Sequence, residues 1–211
     1  MRKIDIQRHL GYYLWCYLGI LIFSIVFWTT VYGIVGTPDA NEKLTISYFG
    51  NDYDVSGLKS DVEDNLSSIT SQNIKEFSFD EVRQTENIVF GSMIQTRLYS
   101  SDIMIFEEWV INEDFVYANF RSWTSDLESR FSDLDVEYYQ IDGLKCGIIL
   151  DPKDGDSNIF TKYYDGDSRL ILFFAPYCEN LGGAYGIGNE EDDGAIDLMR
   201  FLLEETNGEE K

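Results

Sequence analysis

Hydrophobic and polar positions divide the chain near residue 38. From Leu10 to Pro38 there is no charged residue. That run exceeds the roughly 20 apolar residues a helix needs to cross a bilayer core. Tyr12, Tyr13, Trp15 and Tyr17 mark its start, and Trp28 and Tyr32 its finish, where amphipathic rings favour the headgroup zone. The pattern predicts a transmembrane helix over 10–36, preceded by residues 1–9 and followed by a short linker, 37–43. A globular domain over 44–206 and a tail, 207–211, complete the organisation. The rival reading is a cleaved signal peptide. It fits less well, because a signal core has roughly 7–15 apolar residues and Tyr32-Gly33-Ile34-Val35-Gly36-Thr37-Pro38 is a poor cleavage site. Gly11, Gly19, Gly33 and Gly36 form no small-residue seam, so helix pairing is not expected.

Beyond the span the periods alternate between two and 3.6. Leu44–Phe49 reads as a strand closed by Gly50-Asn51-Asp52 turn chemistry. A helix follows with Leu58, Val62, Asn65, Leu66 and Ile69 on one face and Ser56 as its cap. Ile74–Phe79 reads as a second strand, a mostly helical stretch runs to about Tyr99, and Asp102–Phe106 reads as a strand covered on both faces. This β-α-β-α-β order predicts a compact α/β domain with a mostly parallel sheet and crossover helices. Phe120, Trp123, Leu127 and Phe131 recur at helical spacing. Val136–Ile141 and Lys145–Leu150 read as strands joined at Asp142-Gly143, a strong hairpin signal. Residues 151–167 read as a polar, acidic loop with little core content. Leu170–Ala175 is the most apolar strand. A loop with Gly182, Gly183, Gly186 and Gly188 then leads to a final helix with the stripe Ala195, Leu198, Met199, Leu202 and Leu203. Asp192 and Asp193 suit its N-terminus, and Asn207-Gly208 its end.

Charge adds direction. Arg2, Lys3 and Arg8 precede the span, while Asp39 and Glu42 follow it. The positive-inside rule predicts a single-pass cell-membrane protein with a cytoplasmic N-terminus and an extracytoplasmic C-terminal domain. The net charge is -22, yet 14 Tyr, 14 Phe and 4 Trp supply a core, unlike a disordered acidic tail. Such a surface repels phosphates and anionic headgroups, which excludes nucleic acid as a partner. Divalent cations, cationic ligands and basic protein patches remain compatible, beside plain solubility.

Candidate chemistry is sparse. The only histidine, His9, precedes the span, so Ser-His-Asp, Cys-His and histidine-rich zinc sites are excluded from the domain. The sequence has no G-x-S-x-G elbow and no P-loop. No pair of carboxylates stands out for glycoside chemistry, and catalysis is not expected. Asp52, Asp54, Ser56 and Glu63 match the D-x-D-x-S-G-x5-E calcium spacing, with Gly57 at the sharp turn. Against this, Lys59 replaces an apolar residue and a strand precedes the loop; an ordinary capped turn fits the same residues. Cys146 and Cys178 could pair or remain free thiols. Of the domain's tryptophans, Trp123 suits helix-core packing. Trp109, beside Glu107 and Glu108, is the better candidate to stack on a ligand.

Four segments in this order resemble bacterial extracellular solute-binding proteins of ABC importers, with the type II periplasmic-binding fold. Leu44–Gly50 is similar to the opening strand of the first lobe. Ser101–Glu108 is similar to the strand ending at the ligand cleft. Tyr139–Ile148, with Asp142-Gly143-Leu144-Lys145, resembles the family's "DGK-YGIP" hairpin. Gly194–Glu204 resembles the closing helix. The resemblance implies a binding protein without catalysis, anchored in the lipid bilayer, that takes a small solute or a membrane protein partner. No ligand residue carries over from the family; if the fold keeps a cleft, Gly50, Asp52, Glu107 and Trp109 should line it, since open parallel sheets bind at strand carboxyl ends. The chain leaves little material for a second lobe. A docking module with no solute, or a calcium-dependent surface module, are the alternative readings; no cofactor other than Ca²⁺ is expected.

Overall fold

The computed structural model describes residues 6–83, 89–152 and 158–204. The chain forms two compact units, Met1–Asp39 and Ala40–Lys211.

The first unit holds helix α1 (Ile6–Val35). Within it, the 23-residue stretch Gly11–Gly33 is long and apolar enough to cross a membrane, its most apolar 18-residue window having a mean hydropathy of 2.0. At 1.5 Å per residue that stretch spans about 34 Å. Its threonines are satisfied internally: Thr29 Oγ1 donates to Ile25 O at 2.8 Å, and Thr30 Oγ1 to Val26 O at 2.8 Å. Neither hydroxyl would bring an unpaired donor into hydrocarbon.

The second unit runs β1 (Lys43–Phe49), α2 (Val55–Ile69), β2 (Glu76–Val82), α3 (Val89–Arg97), β3 (Ile103–Glu107), α4 (Glu113–Asn119), α5 (Ser125–Ser129), β4 (Glu137–Ile141), β5 (Leu144–Leu150), β6 (Leu170–Phe174) and α6 (Gly194–Leu203). The strands form one sheet in the order β2-β1-β3-β6-β5-β4. β1 lies parallel to β2 and to β3, whereas the β3–β6, β6–β5 and β5–β4 pairs are antiparallel. The expected mostly parallel sheet is therefore corrected to a mixed α/β sheet in which antiparallel pairs predominate. A two-residue turn can join only antiparallel strands, which fixes β4 against β5. β6 is buried at all five positions, as is β3, so its burial pattern carries no information about direction.

Several local expectations hold. Asp142 and Gly143 both have positive φ, 52° and 78°, as a type I′ hairpin turn requires. All five residues of the α6 stripe are buried. Other expectations need correction. Asp54, not Ser56, caps α2, accepting from Ser56 N at 3.1 Å and Gly57 N at 3.2 Å. Asn65 on α2 is exposed. Ile74 and Lys75 precede β2. Phe120, Trp123, Leu127 and Phe131 are all buried, but not on one helix: α4 ends at Asn119, and Thr124 caps a new helix at Ser125. The 151–167 segment is not empty of core. Its Phe160 is fully buried and stacks on Tyr53 at 4.6 Å, and Tyr164 bridges to Tyr53. The end signal Asn207-Gly208 lies outside the described residues.

Alternation along β1 sends neighbouring rings to opposite faces of the sheet. Phe49 stacks on Phe106 at 4.5 Å, and Phe106 meets Phe120 edge-on at 6.0 Å. On the other face Tyr48 packs on Tyr53 at 5.1 Å, and Tyr53 on Phe79 at 5.5 Å. Each such buried ring is worth about 3–5 kcal/mol against alanine.

Candidate functional site

β1 connects away to β2 on one side, while β3 lies on its other side. The carboxyl ends of β1 and β3 thus form the switch point at which open α/β sheets bind ligands. Glu107 ends β3 there, only 2% exposed. Its Oε1 accepts from the Tyr48 hydroxyl and from Asn51 N, the latter at 2.9 Å. Its Oε2 accepts from Trp109 Nε1. Asp52 N donates to Tyr48 Oη at 3.3 Å. A Cβ on Gly50 would stand 2.6 Å from Glu107 Cδ, so glycine is what lets the carboxylate lie against the turn. The structure brings Gly50, Asp52, Glu107 and Trp109 into one cluster, with the Asp52 side chain exposed.

The electrostatics of the cluster keep its donors as donors. Burial, then the hydrogen bond and charge of Glu107, hold the Tyr48 phenol well above its ordinary value. Burial and next the charge of Glu107 push Tyr164 up to about 12. Charge-assisted bonds of this kind are about twice as strong as neutral ones. Trp109 is held by its indole N–H while 47% of the residue faces solvent. A flat aromatic surface is thereby fixed in place instead of swinging free. Sequence reasoning missed Tyr48 and Asn51. A buried tyrosine two residues before the turn needs a partner for its hydroxyl, and that is the available signal.

The calcium-spaced residues have other partners. The Asp54 carboxylate caps α2. Glu63 lies on α2 with Lys59 Nζ 3.7 Å away, and Ser56 is exposed. Tyr53, between Asp52 and Asp54, is buried. Among the described residues no group of three or more His, Cys, Asp or Glu converges as a metal site would.

A second buried carboxylate, Asp102, lies at the other end of β3. Its Oδ2 accepts from Thr45 N at 2.7 Å, and its Oδ1 from Asn180 Nδ2 at 2.9 Å and Cys178 Sγ at 3.1 Å. Asn180 Oδ1 accepts from Gln72 Nε2 at 2.7 Å, and Gln72 Oε1 accepts from Gly194 N at 2.7 Å. The first N–H of α6 is thus taken by the protein itself. Burial pushes Asp102 up to about 6, against the opposing donors Cys178, Thr45 N and Asn180. Cys146 and Cys178 are free, buried thiols. Burial raises Cys146 to about 11, and burial followed by the Asp102 charge raises Cys178 well above its usual range. Neither is a thiolate nucleophile at neutral pH. Trp123 packs in the core against Phe131 at 5.1 Å.

Comparison with known proteins finds no matching family model, no matching curated sequence and no matching solved structure.

Proposed function

We propose that the chain is a membrane-anchored, extracytoplasmic, non-catalytic binding module derived from a solute-binding protein, with Trp109 as its ligand platform. α1 serves as the anchor, and Arg2, Lys3 and Arg8 keep its N-terminus in the cytoplasm. The observation that carries the reading is the fixed, half-exposed Trp109 indole, tied to buried Glu107 at the carboxyl ends of β1 and β3. An aromatic face with the Asp52 carboxylate nearby on the turn suits a sugar ring or a cationic group. The interior of the cluster is filled by Tyr48 and Glu107, so the ligand lies on this surface and not in a closing cleft.

The full chain in detergent, scanned by thermal shift against maltotriose, trilysine and single amino acids, tests the reading. A ligand at a hundredfold excess over its Kd raises the melting point by about 5 °C or more. Trp109→Ala abolishes that shift. Silence against every probe would reject the solute reading in favour of docking. A shift produced by calcium and reversed by chelator would favour the loop from Asp52 to Glu63 instead.

A further inference from the structure

The two edges of the sheet are built differently. β2 is guarded by charge: Glu76, Asp80 and Glu81 engage Lys43, Arg97 and Arg83 along it, a common defence against strand addition. β4 forms the other edge, with no strand on its outer side among the described residues and a single ion pair at its start, Glu137 to Arg169 Nη2 at 3.0 Å. It is flanked by a cavity on each face. On the face of Tyr139 and Ile141, a mainly apolar cavity of about 170 Å³ is lined by Val116, Tyr117, Phe120, Ile141, Leu144 and Cys146, with Ser122 and Asp142 completing its wall. Its rim is open, since Tyr117 is 73% and Leu144 59% exposed. On the Tyr138 face, a hollow of about 440 Å³ is lined by Glu128, Leu134, Tyr138 and Lys145, with Lys145 Nζ held 3.2 Å from Glu128.

We infer that β4 is a docking edge for an extended, basic segment of another protein, added as a seventh strand. An added strand alternates its side chains between the two faces. One residue then enters the apolar cavity, whose size suits a single aliphatic or aromatic group. The next residue faces the polar hollow. Asp135 and Asp142 flank the two ends of β4, are exposed, and have no ion pair among the described residues. They and the net charge of -22 select a cationic segment. The same charge disfavours a second copy of this chain, which would set like charges opposite one another along the edge.

Hydrogen exchange on the full chain in detergent, with and without a nine-residue peptide of alternating lysine and valine, tests this. The expected result is at least tenfold slower exchange for amides within 137–141, with salt-sensitive binding. Tyr117→Asp and Leu144→Asp change exposed rim residues and leave the melting point in place; each weakens peptide binding at least tenfold. An alternating glutamate–valine peptide gives no protection. The inference is overturned if the lysine–valine peptide does not bind, or if both rim variants bind it as the parent does. It is equally overturned if a lysine–glycine peptide binds as tightly without protecting 137–141, since charge alone would then suffice. A dimer of the chain paired through β4 would overturn it in favour of self-association.

Discussion

Two buried carboxylates bracket β3, and they serve different ends. Asp102, just before the strand, is enclosed on all sides by neutral donors, and every bond it makes ties one interior segment to another. Glu107, at the strand's last residue, turns one oxygen inward to Tyr48 and Asn51 and the other outward to the half-exposed Trp109. The inner end of the strand consolidates the fold. The outer end spends a buried charge on fixing a surface side chain. The difference teaches that burial of an acid does not itself mark function; what matters is whether one of its partners reaches solvent.

Replacement of Asp102 should have the largest effect. Asp102→Leu leaves Thr45 N–H unpaired and takes one acceptor from Asn180. At pH 4.5 the loss is about 4 kcal/mol by denaturant unfolding, since each stranded buried group costs about 1–3 kcal/mol. The comparison sharpens with pH. Burial raises Asp102 to about 6 in the fold, so the folded state holds the proton more tightly than the unfolded state does. That contribution is full below about pH 4 and is lost as pH rises through about 6. The stability advantage of the parent over Asp102→Asn should therefore shrink by about 3 kcal/mol between pH 4 and pH 7. A difference independent of pH would contradict the assignment.

At the outer end the effects are smaller in energy and larger in mobility. Glu107→Gln sets an amide N–H₂ or a carbonyl against a mismatched partner among Tyr48, Asn51 and Trp109. A cost of about 2 kcal/mol follows, with faster fluorescence depolarisation of the indole. The smallest effect belongs to Trp123, whose Nε1 has no hydrogen-bond partner among the described residues. Trp123→Phe therefore breaks no bond, and its cost in chemical denaturation should be about 1 kcal/mol, from the lost ring volume alone.

Much of this architecture was legible in the sequence, for physical reasons. β1, β3, the Asp142-Gly143 turn and the α6 stripe follow from local periodicity and turn chemistry. The direction of β6 does not, because a strand buried on both faces reads alike either way. The break between α4 and α5 is hidden because Phe120 and Trp123 keep helical spacing while lying outside either helix. Phe160 and Tyr164 escaped notice in an acidic segment because their partner, Tyr53, is distant in sequence. The positions Gly50, Asp52, Glu107 and Trp109 came from the rule that ligands approach strand carboxyl ends. Their bonds to Tyr48 and Asn51 depend on the register that sets Tyr48 against Ile105 and Phe49 against Phe106, which pairing alone reveals.

The most direct test of Trp109 as the platform uses a full chain with Trp15, Trp28 and Trp123 replaced by phenylalanine, titrated with maltotriose and with trilysine. We expect a saturable change in the remaining indole emission with one of these probes, at least tenfold weaker in affinity when Glu107→Gln frees the ring. Emission indifferent to both probes, or a titration unchanged by Glu107→Gln, would contradict it.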